Sequence, residues 1–145
     1  MKRSHIKACD DIVVASEPWK TLREKIDFGQ AITNRQAFTC IRLEGGTSKV
    51  AGFILFTAKP VFARGGYLRA IGVAPALRGQ GIGSKLMAFA EKAVSRRSDY
   101  CYLCVSSFNR KGQVFYKKRG YVKVGSLPGL TAPNTSEHIY WKRLR

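Results

Sequence analysis

With 145 residues, 45% hydrophobic and 24% charged, the chain has the size and composition of one globular domain, 1–145, with room for a proper core. No apolar run reaches the ~20 residues of a membrane helix. The basic start Met1-Lys2-Arg3 leads into no dense apolar segment, so no secretory signal is expected and the cytoplasm is the expected location. Lys and Arg number 26 against 9 Asp and Glu, a formal +17, which attracts polyanions without naming one.

Residues 1–8 read as loose chain or a short strand. From Asp10 to Ile26 the apolar positions Ile12, Val13, Trp19, Leu22 and Ile26 recur at helical spacing. Glu17-Pro18 interrupts them, which suits two short helices with Ser16 near the second cap. Phe28-Gly29-Gln30 breaks the pattern. Residues 37–43 and 50–58 then read as an antiparallel pair of strands around a turn at 44–48.

A loop at 59–66 leads to a strand at 67–73, a glycine loop and a helix reaching residue 97, and a strand at 100–106. Strand, helix, strand without a hairpin turn make a βαβ unit with parallel strands. A short helix at 110–119, a strand at 121–125, a loop at 126–136 that is either substrate-facing or plain surface, and a strand from Ile139 complete the chain. The expected fold is α/β, a single mixed, splayed sheet of about six to seven strands flanked by helices.

The cysteines are Cys9, Cys40, Cys101 and Cys104. Cys101 and Cys104 fall in one strand with opposite parity, so their side chains point to opposite faces. That argues against a redox pair or a metal knuckle, no second Cys/His pair has suitable spacing, and reduced thiols are expected, with no metal. Basic residues cluster only weakly, at Arg96-Arg97, Lys117-Lys118-Arg119 and Lys142-Arg143-Arg145. A solvated basic surface is therefore favoured over a nucleic-acid groove.

The chemistry centres on Arg78-Gly79-Gln80-Gly81-Ile82-Gly83-Ser84, between the strand at 67–73 and the helix that follows. A helix start offers unpaired N–H groups and the positive end of the dipole, and glycines let a pyrophosphate approach them. The residues thus suggest a site for a phosphorylated cofactor. The P-loop string is absent, and the alternating glycines do not fit Gly-x-Gly-x-x-Gly.

Arg78-x-x-Gly81-x-Gly83 resembles the acyl-coenzyme A loop of the GNAT family of N-acetyltransferases. Asn109, twenty-six residues beyond Gly83, and Phe115-Tyr116-Lys117-Lys118-Arg119-Gly120-Tyr121 are similar to that family's second signature. By element order the likeness covers residues 37–125. It implies acetyl-CoA as donor and a primary amine (a protein N-terminus, a lysine or a small molecule) as acceptor, with direct attack on the thioester. It implies that Ile71, Gly72 and Val73 offer backbone groups to the pantetheine arm, Gly72 by letting it lie close. The N–H groups of Arg78, Gly79, Gln80, Gly81, Ile82, Gly83 and Ser84 would hold the pyrophosphate, and Asn109 would bond the pantetheine. Tyr116 would also contact the cofactor and, as the catalytic residue, protonate the departing thiolate.

The resemblance fails at the base. Where relatives that modify ribosomal-protein N-termini carry a glutamate five residues before the motif Asn, this chain has Cys104, and Arg69 is the charged residue on the strand before it. Water, Glu44 or Glu17 are the alternatives. Cys104 reads as a small hydrophobe rather than an acyl carrier. Trp19 is read as an anchor for its helix, and His5 and His138 as surface residues. The positive surface disfavours polyamines and aminoglycosides as acceptors by like-charge repulsion, unless a local acidic pocket overrides it. The competing reading is a weak or inactive GNAT-fold module that binds RNA, the ribosome or another acidic partner; a monomer and a homodimer are both compatible with the sequence.

Overall fold

The computed structural model describes every residue except Gly45 and Ala63 and, for Glu44 and Phe62, the backbone alone. Six strands form one sheet: β1 (Ala37–Glu44), β2 (Thr47–Phe62), β3 (Gly65–Val73), β4 (Tyr100–Ser106), β5 (Val122–Pro128) and β6 (Ser136–Arg143). Their order is β1-β2-β3-β4-β6-β5. Only β3 and β4 run parallel, because the α4 helix (Ile82–Ser95) crosses between them; the other neighbours are antiparallel.

Period-two alternation on β2 builds two cores. Ile54 and Phe56 face α4, whose Leu86, Met87, Ala90 and Val94 close over them together with Leu68, Leu103 and Tyr140. Phe53 and Leu55 face the other way, under α1 (Ile6–Val14) and α3 (Phe28–Thr33), against Cys9, Ile12, Val13, Phe28 and Ala31. The short α2 helix (Trp19–Leu22) joins this layer by setting the Trp19 ring 5.9 Å from that of Phe53. Trp19 is thus the expected anchor.

Three local expectations are corrected. Residues 3–8, expected as loose chain or a strand, are helical: a 3-10 turn at Arg3–His5 runs into α1, whose later part is the helix expected from Asp10. Cys9, Ile12 and Val13 need that helix to reach Phe53. The break at Phe28 is instead the start of α3, because the Asp27 carboxylate accepts the Gln30 N–H at 2.8 Å as an N-cap. Ser16 caps no helix N-terminus; its hydroxyl donates back to the Ile12 carbonyl, and the N-cap position of α2 is Pro18. The turn expected around Gly45 lies outside the described residues.

Strands β3 and β4 pair only over Gly66–Cys101, Tyr67–Tyr102 and Leu68–Leu103, although each runs on, to Val73 and Ser106. The cause is visible on the other edge of β3. Leu55 pairs with Ala70 and Phe56 with Leu68, so Arg69 is an extra, bulged residue. A bulge bends its strand, and this one sits at the point where β3 leaves β4. The notch that results is where the cleft lies.

The α5 helix (Arg110–Lys118) and β6 are tied to α4 by Glu91, whose Oε2 accepts from Arg119 and Lys142, each at 3.2 Å, in a largely buried triad. Removing the carboxylate leaves two cations facing each other with poor access to water. Glu91→Ala is expected to cost about 2 kcal/mol, measured by urea unfolding, with the cleft residues untouched.

Candidate active site

The notch opens into one cleft with two arms, on the two sides of the gap between β3 and β4. The larger arm, 620 Å³, runs from the end of β3 to the start of α5 and is walled by Ile71, Gly72, Val73, Gly83, Asn109 and Phe115. The smaller, 220 Å³, is walled by Tyr67, Ala70, Cys104, Ser106, Thr131 and Glu137, with Trp19 and Leu130. Glu17, Ile71, Asn109 and Tyr116 belong to both and mark the passage. Leu130 and Thr131 bring the loop after β5 to the cleft; it is shorter than the one expected at 126–136, because β5 runs on to Pro128 and β6 begins at Ser136.

The two arms carry opposite charge. Lys20, Arg78, Arg110 and Lys111 line the larger against Glu17 alone. Glu17, Glu24 and Glu137 line the smaller against Arg69 alone. In a chain of +17, three of the nine acidic residues converge on 220 Å³. The like-charge repulsion expected of the surface does not describe this pocket.

The loop before α4 is built to expose backbone. Gly79 and Gly81 sit at φ +76° and +77°, with open space where a Cβ would stand. Side chains resist that left-handed conformation. Gly81 is also the N-cap of α4, and the helix ladder begins only with Lys85 N–H to the Gly81 carbonyl at 3.0 Å. The N–H groups of Ile82, Gly83 and Ser84 therefore have no partner within the helix. Ile82 contributes backbone only, since its side chain is in the core.

Two side chains of this loop are already engaged. Arg78 donates to the Val73 carbonyl (3.2 Å), the Ala15 carbonyl (3.3 Å) and the Ser16 hydroxyl (2.8 Å), tying the end of α1 to the end of β3. Gln80 accepts from Arg42 at 3.0 Å, and with Ser84 it lies exposed beside the cleft rather than in its wall.

Gly72 serves the site for a different reason from the one expected. A Cβ there would meet the Phe53 ring at 2.6 Å and Ile12 at 2.9 Å, so the missing side chain makes room for the core and not for a ligand. What β3 offers the cleft is its β4-facing edge beyond Leu68, where strand pairing has ended.

Asn109 caps α5 by accepting the Gly112 N–H on Oδ1 at 3.0 Å. The turn reading and the site reading both hold, because its side chain lines both arms. Tyr116, 8% exposed, sits on α5 edge-to-face with Tyr121 at 6.0 Å. Burial raises its phenol above the ordinary tyrosine range, with Cys101 adding a little, so the hydroxyl keeps its proton at neutral pH.

Cys104 and Cys101 do face opposite sides, the first in the smaller arm and the second in the α4 core, and all four cysteines are free thiols. Burial raises the Cys104 thiol as well, which removes the thiolate a nucleophile requires. Neither histidine lines the cleft: His5 bonds Thr39 at 3.1 Å and His138 bonds Ser126 at 2.9 Å. The Glu44 side chain lies outside the described residues. Glu137, 7% exposed, is the acid that sequence reasoning missed.

Among the described residues no helix is long and apolar enough to cross a membrane. No curated protein matches the chain in sequence. Solved structures share the fold at low identity. A NatC complex bound to Gag peptide and CoA matches with TM-score 0.79 and 18% identity over 99% of this chain and 93% of that one. The aminoglycoside 6'-N-acetyltransferase from Enterococcus faecium gives 0.75 and 18% over 100% and 95%. A ribosomal-protein-alanine N-acetyltransferase from Brucella melitensis gives 0.74 and 19% over 99% and 96%. The model of the acetyltransferase (GNAT) family matches residues 6–121, which takes in the glycine loop, the notch and the Asn109–Tyr121 segment. The chain belongs to the GNAT acetyltransferase family.

Proposed function

We propose that the protein is an acetyl-CoA-dependent N-acetyltransferase that moves the acetyl group to a primary amine by direct attack on the thioester. One observation carries the reading: Tyr116 and Asn109 line both a basic arm that fits a polyanion and an acidic arm that fits a cation. Bound in the basic arm, acetyl-CoA supplies an activated acyl group and a thiol leaving group.

The residues divide the work. Backbone N–H groups of the loop from Gly79 to Ser84 receive the pyrophosphate at the positive end of α4, whereas that of Arg78 is taken by the Pro75 carbonyl at 3.3 Å. Lys20, Arg110 and Lys111 add charge around it. Ile71, Gly72 and Val73 present the unpaired edge of β3 to the pantetheine amides, and Asn109, with Oδ1 occupied by its cap, donates through Nδ2. Tyr116 gives its proton to the sulfur as the C–S bond breaks. The free thiols suit a reducing compartment such as the cytoplasm.

The test is thiol release from acetyl-CoA by purified protein across a panel of amines at low salt. Amine-dependent release supports the transferase. Absence of release with every amine, together with tight RNA binding that weakens steeply with salt, would replace it with the basic binding module.

A further inference from the structure

Glu137 is a buried carboxylate with half of its bonding capacity unused. It lies on β6 opposite Ser106 of β4, and its Oε1 accepts both the Ser106 hydroxyl and, at 3.4 Å, the Thr131 hydroxyl. Its Oε2 takes no hydrogen bond among the described residues, and no cation there pairs with it, although it lines the acidic arm beside the passage. Oε2 is not among the side-chain atoms sealed from water without a partner, so it opens onto the arm, and a carboxylate oxygen that a pocket presents without a protein partner is placed to receive a ligand. A ligand that brings a positive nitrogen to Oε2 gives it a charged partner.

A second acid faces the same space. Glu24 stands exposed at the mouth of the arm, its carboxylate makes no hydrogen bond or ion pair among the described residues, and its charge raises the Glu137 pKa. Glu17, at the passage, is held by Thr21 through bonds of 2.9 and 3.3 Å. Carboxylates therefore stand at two depths of a 220 Å³ arm, one buried and one at the rim, with Arg69 as the opposing charge.

We propose that the acceptor is a compact alkyl diamine whose reacting nitrogen is bound and deprotonated at Glu137 Oε2 while its second ammonium faces Glu24. This rests on the transferase reading and names the substrate class of the same site. A peptide N-terminus brings a single cation followed by neutral amides, and leaves the rim acid without a use.

The step balances as follows. Glu137 takes one proton from the ammonium, directly or through a water. The freed lone pair forms the N–C bond, the C–S bond breaks as the sulfur takes the Tyr116 proton, and the second proton left on the new amide nitrogen departs to solvent. Tyr116 is reprotonated from solvent and Glu137 returns its proton there, so the sum is acetamide, free thiol and one proton released.

Burial is the main cause that raises the Glu137 pKa, the Ser106 and Thr131 hydrogen bonds oppose it, and Glu24 adds to it. Tyr67 and Cys104, also in the arm, stay protonated through burial, and Arg69 faces the same space. The sign follows: a carboxyl whose folded pKa is raised stabilises the fold below its unfolded pKa, and that contribution is lost as pH rises through the folded pKa. Once ionised, Glu137 weakens the fold, and the base is lost as pH falls through its raised pKa.

The experiment compares thiol release with 1,4-diaminobutane, butylamine and a trialanine peptide amide. The diamine is expected to exceed butylamine and the peptide about tenfold in kcat/KM, the scale of one added charge contact. Glu24→Gln narrows that preference several-fold, mainly through KM. Glu137→Gln lowers kcat about 10²-fold on the diamine, with coenzyme A affinity by calorimetry kept and the Tm at pH 7.5 equal or higher. Glu137→Asp, which keeps the charge, recovers part of kcat and moves the acid limb of the pH–rate profile.

Equal rates for diamine and butylamine, or a faster peptide, overturn the diamine while leaving the transferase reading intact. Full kcat in Glu137→Gln overturns its role as base. Coenzyme A binding without acetylation of any amine overturns both readings together.

Discussion

Tyr116→Phe is expected to lower kcat about 10²-fold while the dissociation constant for coenzyme A stays within about twofold. The substitution removes one oxygen and keeps the ring, which holds its edge-to-face contact with Tyr121. Among the described residues no hydrogen bond reaches the Tyr116 hydroxyl, so the fold loses no partner and the Tm should not drop. The loss is confined to the step in which sulfur departs. The phenol is raised by burial, so it is a proton donor across the neutral range and cannot serve as the base. A full transfer rate in the variant would assign protonation of the thiolate to water instead, and coenzyme A affinity measured in parallel separates that result from lost binding.

Phe53→Ala carries the largest expected cost in stability, about 3–5 kcal/mol. Phe53 is fully buried, edge-to-face with Phe28 at 5.0 Å, beneath Trp19, and against the face of Gly72. It is the point at which α1, α2 and α3 grip the sheet. Those elements carry Ser16, Glu17, Trp19 and Lys20 to the cleft, and Ser16 in turn holds Arg78. The cavity left by the ring should lower the Tm by roughly 10 °C for a domain of this size and raise KM for donor and acceptor more than it lowers kcat. Urea unfolding measures the first effect and steady-state kinetics the second. A cost below about 1 kcal/mol would mean that the helical layer collapses onto the gap and that the ring is not its anchor.

The glycine loop before α4 and the cap of α5 were legible in the sequence because backbone geometry leaves local marks. Only glycine sits comfortably at the φ values of positions 79 and 81, and an Asn that caps α5 shows itself by preceding a helix. The same holds for β4, whose apolar run from Tyr100 to Ser106 needs no partner to be read. Gly72 was placed correctly on the cleft for the wrong reason, since the neighbours that exclude its Cβ, Phe53 and Ile12, lie far off along the chain.

The acceptor half could not be read, because it exists only in the pairing of distant strands. Glu137 is buried by the register that sets it opposite Ser106, thirty-one residues away. The last strand was expected from Ile139, whereas β6 begins at Ser136, and this left Glu137 outside any element. The bulge at Arg69 that opens the notch is likewise a property of the β2–β3 pairing. Net charge could not locate the exception it allowed for: +17 describes the whole surface, and the sign in the smaller arm is set by three carboxylates that folding gathers.

The central claim is that the basic arm passes an acetyl group through the notch to an amine in the acidic arm. Its most direct test is the product. Mass spectrometry of the amine, run beside thiol release from acetyl-CoA, should find one N-acetyl group formed for each thiol set free. Thiol released without acetylated amine, or acetyl-CoA bound with neither product formed, would contradict it.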